Sequence, residues 1–301
     1  MKYVITGGTG FIGSNIAKLL VKNSHDVIII DKLHTSDMSR LKEIEDSIEF
    51  HNIDIRNKSD IKSVIKNVNG IFHEAALTIV SESFKKTEEY FDVNVNGTKN
   101  IFEIAKKLET KVVFASSSSV YGDVNSIPIN EKNSRNPINP YGETKVKKEN
   151  LASKFWKDNS KVVGLRYFNV YGKGQTGSYA GVITQFLRCI NEKTSLLIHG
   201  NGNQIRDFIF VEDIAKANLT VMQSNVNEGF FNVGTSIPTS IFDLANIMIK
   251  ISKLDLKLIF DKEQPGDIGK SLADTLLFIK KTGWKYEINL NDGLKKLIND
   301  F

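Results

Sequence analysis

The chain has 301 residues, 41% apolar and 25% charged, an ordinary globular balance at a length that accommodates two domains or one large one with a lobe. Its 40 basic and 35 acidic residues leave a formal charge of +5. The basic residues are scattered, so solvated surface lysines explain the excess better than a nucleic-acid or membrane partner.

The N-terminus, MKYVITGGTG, runs straight into structure without the apolar stretch of a signal peptide, and no apolar run approaches the roughly 18–20 residues that span a bilayer. Cytoplasmic residence is expected. Buried strands are predicted at 2–6, 25–31, 48–54, 70–75, 111–116 and 161–166, all rich in Val, Ile and Phe. Helix patterns fall between them, near 11–22, 58–67, 84–107 and 140–157. Strand alternating with helix implies crossover units and a parallel sheet covered on both faces. From Tyr167 the rhythm breaks. Loop signals cluster at 172–181 and 199–204, with helices predicted at 182–192 and 211–223 and a strand at 229–233. Ser240 and Asp243 fit a capping box that opens another helix, and a last helix lies near 291–299. The expected fold is α/β, a doubly wound parallel sheet with a smaller α/β lobe. The expected division is 1–168 plus about 207–236 in one domain, and about 169–206 plus 237–301 in the other.

The first strand runs into TGGTGFIG (6–13), with Gly7, Gly10 and Gly13 three residues apart. A dinucleotide needs these glycines for a tight turn, for close approach of backbone to pyrophosphate, and for close helix–strand packing. The helix beginning at Phe11, Ile12 and Gly13 would present free N–H groups to the phosphates. Asp31 ends the second strand, where a carboxylate accepts hydrogen bonds from the adenosine ribose and repels a 2′-phosphate. NAD is therefore favoured over NADP, although Lys32 works against that. Asp54 and Ile55 end the third strand, either beside an adenine or as a simple strand-end cap.

YGETK (141–145) opens a helix directly after Pro140. The spacing of four puts Tyr141 and Lys145 on one face. An unperturbed phenol is a poor base at neutral pH, and a nearby ammonium favours its phenolate; a drop of about three pKa units corresponds to roughly 4 kcal/mol. Upstream, FASSSSVYG (114–122) leaves the fifth strand with four consecutive hydroxyls available to a substrate. The five histidines show no metal spacing, and a zinc site is not expected. His73 reads as a hydrogen-bonded structural residue, and the lone Cys189 as an apolar filler.

Together with DIR (54–56), HEAA (73–76), NVNGT (94–98), LRYFNVYG (165–172), IRDFIFVED (205–213), PGD (265–267) and SLAD (271–274), these motifs resemble the extended short-chain dehydrogenase/reductase family. Within it the chain looks most like the UDP-glucose and UDP-N-acetylglucosamine 4-epimerases. The resemblance implies a Rossmann domain carrying NAD. It implies Tyr141 as acid/base, Lys145 as the cation beside it, and Ser117 as the catalytic hydroxyl with Ser118 as fallback. Ala75, Asn94 and Tyr167 fall at cofactor positions. Asn169 and Arg206 fall at substrate-diphosphate positions, and Asp267 at a uridine-ribose position. The implied chemistry is proton loss from the sugar 4-hydroxyl with hydride transfer from C4 to NAD, turnover of the 4-keto sugar, and return of hydride to its other face. A homodimer through the helices near 84–107 and 140–157 is also implied.

Three departures refine the expectation. Related dehydratases and decarboxylases carry acids after the catalytic Ser/Thr, where this chain has Ser118 and Ser119, and hydroxyls cannot do that acid–base work. Gln264 stands where an arginine often grips the diphosphate, so either Arg206 serves with Lys262 or Lys270, or the nucleotide is held differently. Ser271 stands where hexose-restricted epimerases carry a bulky tyrosine, which leaves room for a 2-acetamido group. A nucleotide-sugar dehydratase, decarboxylase or reductase, or a non-catalytic dinucleotide-binding protein, are the alternatives.

Overall fold

The computed structural model describes residues 1–34, 36–175, 181–263 and 268–299. In chain order its first half comprises β1 (Lys2–Thr6), α1 (Phe11–Lys22), β2 (Asp26–Asp31), a 3₁₀ stretch (Met38–Ser47), β3 (Ile48–Asn52), α2 (Lys58–Val64), β4 (Gly70–His73), α3 (Val80–Ser83) and α4 (Thr87–Phe91). A π turn (Asp92–Gly97) leads into α5 (Thr98–Lys107), and β5 (Lys111–Ser117), α6 (Pro140–Trp156) and β6 (Val162–Tyr167) follow. The second half comprises β7 (Asn169–Tyr171), α7 (Val182–Asn191), β8 (Leu196–His199), β9 (Ile205–Arg206), β10 (Phe208–Phe210), α8 (Val211–Gln223) and β11 (Glu228–Val233). It ends with β12 (Thr239–Ser240), α9 (Ile241–Ser252), β13 (Leu258–Asp261), α10 (Leu276–Thr282) and α11 (Leu290–Asn299).

Seven strands form one parallel sheet in the order β11-β6-β5-β4-β1-β2-β3. This is the doubly wound sheet expected from the alternating pattern. Its strands are apolar on both sides because helices cover both faces. Ile5, Ile29, Val113 and Leu165 pack with Ile16, Leu20, Ile214 and Val221 on the face covered by α1 and α8. Val4, Ile28, Ile71 and Val112 pack with Ile101, Phe102 and Ala152 on the other face, under α5 and α6. Each such side chain is worth about 1.5–3 kcal/mol when fully buried, which fixes the register of every strand.

A separate apolar cluster built from Phe186, Leu196, Phe208, Leu244, Met248 and Leu294 holds β7, α7, β8, β10, α9 and α11 together. Cys189 packs against it as a filler. Its strands are paired two by two: β7 with β10, β9 with β12 and β8 with β13. Ser240 Oγ accepts from the Asp243 N–H at 2.9 Å and caps α9, as the sequence predicts. The helix expected over 84–107 is broken into α3, α4, the π turn and α5. The wider turn places Asn94 so that its side chain bonds the Leu77 backbone in both directions, at 2.8 and 2.9 Å, and also Thr144. A continuous α-helix with a solvent-facing Asn94 would leave those Leu77 groups unpaired. Among the described residues, no helix is long and apolar enough to cross a membrane and no cluster is suited to a metal ion.

Candidate active site

A cleft of about 420 Å³ runs along the carboxyl edge of the sheet, where ligands of open α/β sheets bind. Gly7, Gly10, Phe11, Ile12 and Gly13 line one end, and Ser117, Tyr141, Lys145, Tyr167 and Asn169 the other.

The glycine loop is shaped by contact. Gly7 has φ +72°, and a Cβ there would lie 2.5 Å from the Ala75 nitrogen. A Cβ on Gly13 would run into the Gly7 carbonyl. Gly10 starts α1 with no side-chain cap and no acid in the first turn, so the helix terminus meets the cleft with its own N–H groups. This cradle fits a pyrophosphate. Asp31 also lines the cleft, its carboxylate oriented by the N–H groups of Thr9 (3.2 Å) and Leu33 (2.9 Å). Lys32, which weighed against NAD in the sequence, is paired with Asp54 at 3.1 Å. Asp54 and Ile55 line the same end. The Arg56 guanidinium, followed by Lys32, holds the Asp54 carboxyl well below the usual carboxylate range, against the opposing effect of burial.

At the other end, α6 delivers the pair. Asn139 Oδ1 accepts from the Gly142 N–H at 2.8 Å, and Pro140 occupies the first helical position with its preset φ. Tyr141 therefore sits in the first turn and Lys145 one turn below, its Nζ 5.3 Å from the Tyr141 ring centroid. Glu149, one turn further, receives a bidentate contact from Arg166 of β6 (2.8 and 2.7 Å) and a hydrogen bond from Ser116 of β5 (2.7 Å). These buried contacts tie α6 to the strands beneath it. Ser117 Oγ faces the cleft and accepts the Ser119 N–H at 3.1 Å.

Gly7, Gly10, Phe11, Ile12, Gly13, Asp31, Asp54, Ile55, Ala75, Ser117, Tyr141, Lys145, Tyr167 and Asn169 thus share one cavity. Four other expected residues are not part of its lining. Asn94 is fully buried and braces the Leu77 loop, which does line it. Ser118 lies in the 3₁₀ turn after β5. Arg206 and Ser271 lie on adjacent backbone segments of the lobe, where the Ser271 N–H bonds the Ile205 carbonyl at 2.9 Å. Asp267 and Gln264 lie outside the described residues.

Three groups carry more weight than the sequence suggested. Glu74, between His73 and Ala75, lines the cleft and accepts from the Tyr167 hydroxyl at 3.1 Å; Tyr167 in turn accepts from the Asn218 amide at 2.8 Å. Burial pushes the Glu74 carboxyl up to about 7, against the pull of Tyr167, Lys145 and Lys148. Lys148 is wholly buried, its Nζ 3.3 Å from the Ala115 carbonyl, the same oxygen that Lys145 Nζ reaches at 3.1 Å. Burial first, and Lys145 second, lower its pKa well below the usual lysine value. Arg40 donates to the carbonyls of Gly174 (2.8 Å) and Thr9 (3.2 Å), joining the glycine loop to the far lip. The signal for Lys148 is a lysine three residues past Lys145 on the sheet-facing side of a helix. For Glu74 it is an acid at a strand's carboxyl end.

His73 is structural. Thr98 Oγ1 gives its proton to the Asn94 carbonyl (2.6 Å), so it accepts from His73 Nε2–H (2.8 Å), and Nδ1 accepts from Thr6 (2.6 Å). The ring is thereby neutral, and burial, with Lys148 and Lys145 adding to it, holds its pKa well below the ordinary histidine value.

Residues 3–234 match the NAD dependent epimerase/dehydratase family. The chain belongs to that family. As an NAD-dependent epimerase/dehydratase of the extended short-chain dehydrogenase/reductase type, it has NAD as its cofactor. A Methanocaldococcus jannaschii protein with a provisional UDP-glucose 4-epimerase name is 39% identical, covering 98% of this chain and 97% of that one. A UDP-N-acetyl-alpha-D-glucosaminuronate decarboxylase of Bacillus cytotoxicus is 31% identical over 99% and 97%. The solved UDP-N-acetylglucosamine 4-epimerase from Methanobrevibacter ruminantium, in complex with UDP-N-acetylmuramic acid, superposes with a TM-score of 0.93 at 33% identity, covering 100% and 99% of the two chains.

Proposed function

We propose that this protein catalyses 4-epimerisation of a UDP-hexose through a transient 4-keto sugar. The observation that carries the reading is the shared cavity: Tyr141 and Lys145 open onto the same cleft as the glycine cradle, with Ser117 beside them. NAD, when bound, supplies the acceptor that takes a hydride from the sugar and gives it back. Tyr141, as phenolate, takes the proton from the 4-hydroxyl and later returns it. The Lys145 ammonium favours that phenolate. The Ser117 hydroxyl hydrogen-bonds the sugar 4-oxygen. UDP sugars figure in the names of all three relatives described above, which supports uracil as the base.

Family membership alone does not choose between epimerase and decarboxylase. The residues after Ser117 support the epimerase. Ser118 and Ser119 are hydroxyls, and Ser117 Oγ donates to Ser119 Oγ at 3.0 Å, so no acid stands there to drive elimination. The small Ser271 beside Arg206 supports acceptance of 2-acetamido sugars as well as plain hexoses. Arg206 and Asn169 are assigned to the substrate diphosphate, and Asp267 to the uridine ribose.

The test is to incubate the purified protein, without added cofactor, with UDP-glucose and separately with UDP-N-acetylglucosamine. Interconversion with the respective galacto isomers is expected, and NAD is expected in the supernatant of the denatured protein. A stable keto product, or release of carbon dioxide from a uronic-acid substrate in place of epimerisation, would overturn the assignment.

A further inference from the structure

The proton chemistry above makes no use of Arg40, yet this side chain lines the cofactor cleft and bridges its two lips. Its root is fixed. Asp37 accepts from the Ser39 N–H at 2.8 Å and caps the 3₁₀ stretch, and Leu41, wholly buried, joins the apolar cluster that holds Ile16 and Leu20. From that base the guanidinium donates through Nη1 to the Thr9 carbonyl at 3.2 Å and through Nε to the Gly174 carbonyl at 2.8 Å. Thr9 belongs to the glycine loop; its N–H goes to Asp31 at 3.2 Å, and its Oγ1 meets Ser36 Oγ at 2.6 Å. Gly174 belongs to the turn after β7. The next residue, Gln175, lines the cleft, donates to the Val170 carbonyl at 3.2 Å and accepts from Thr184 of α7 at 2.9 Å. Both anchor points are therefore held by their own neighbours, and the bridge crosses the rim beside the cradle that fits a pyrophosphate.

We propose that Arg40 is a latch over the cofactor: it closes the cleft across the pyrophosphate cradle and keeps NAD in place between turnovers. A guanidinium suits the task. Its planar fork offers several donors from one rigid group, so a single side chain holds two carbonyls at once. Both acceptors are backbone carbonyls, so the bridge is made by the chain itself and not by groups of the cofactor. It must open for NAD to leave and equally for NAD to enter. Gly174 completes the latch. Its φ of +93° is open to glycine and strained for other residues, and a Cβ there would touch Arg40 Cδ and Nε at 3.4 Å. Retention suits the proposed reaction, which regenerates NAD in each cycle, but the latch rests on NAD binding and not on the identity of the sugar.

The test reads cofactor exchange and needs no sugar. Holoenzyme carrying labelled NAD is chased with excess unlabelled NAD, which gives the release rate. The label retained at equilibrium over a range of NAD concentrations gives Kd. Arg40→Met removes the fork and keeps an unbranched stem. Release should quicken by at least about tenfold, as expected on losing charge-assisted hydrogen bonds that must break before exit. Kd should move by less than about threefold, because a latch slows entry as much as exit. Gly174→Ala disturbs the same bridge without touching a charge, so release should quicken there too, and the double variant should release no faster than Arg40→Met alone. An unchanged release rate in Arg40→Met overturns the latch. So does a Kd that rises in step with release, which would make Arg40 a direct contact to the dinucleotide. Additive effects in the double variant overturn it as well. The expected exchange behaviour in a protein that does not epimerise would sink only the functional reading.

Discussion

Ser271 is 7% exposed and tied by its backbone to Ile205, so its side chain has a fixed place beside the strand that carries Arg206. If that place borders the sugar C2 substituent, filling it must discriminate by bulk. Ser271→Tyr is expected to lower kcat/KM for UDP-N-acetylglucosamine by at least about tenfold, equivalent to roughly 1.4 kcal/mol, while leaving UDP-glucose within about threefold. Coupled assays on the two substrates check this, and equal losses on both would remove Ser271 from the specificity argument. The residue scale is also where sequence reading went furthest. Gly7, Gly13, Asp31, Tyr141 and Lys145 are legible because each answers a local chemical demand within a few residues of a strand or helix end. Glu74 and Lys148 are not, because their meaning depends on a hydroxyl from another strand and a shared carbonyl that no linear spacing reveals.

Among the elements, α6 matters most, since its first turn carries the phenol. Its start depends on one amide: Asn139 Oδ1 on the Gly142 N–H. Asn139→Ala should cost about 1 kcal/mol of stability in urea denaturation, and Asn139→Asp should retain most of it. Because Tyr141 lies two residues past the cap, kcat should fall in the alanine variant more than KM rises. The strands of the parallel sheet were predicted to within one or two residues, because continuous Val/Ile/Phe runs between turn signals have few other readings. The short strands β7, β8, β9, β10, β12 and β13 were not predicted. Two to four residues are too few to show alternation, and each pairs with a partner distant in sequence. The break in the helix expected over 84–107 was also hidden. A π turn keeps helical composition and is dictated by what Asn94 must reach across the fold.

For the molecule as a whole, buried titratable groups set the response to acid. His73 stays neutral in the fold, with its pKa lowered by burial, whereas in the unfolded chain it takes a proton near pH 6.5. Below that point the unfolded state binds the extra proton, so the His73 contribution to stability is present above pH 6.5 and lost as the pH falls. The stability difference between wild type and His73→Asn should therefore shrink by about 1.4 kcal/mol between pH 7.5 and 5.5, measured by denaturant titration at both. A constant difference would mean that the imidazole is protonated in the folded state too.

The sheet order has a consequence for how the chain comes into being. β6 has β5 on one side and β11 on the other, and β11 is residues Glu228–Val233. During synthesis β6 therefore emerges long before its second neighbour does, and its bare flank offers a row of unpaired amides to any passing strand. A nascent chain stalled between these two strands is the form most prone to pair with a stranger, and a chaperone that shields that flank would act on this interval above all others.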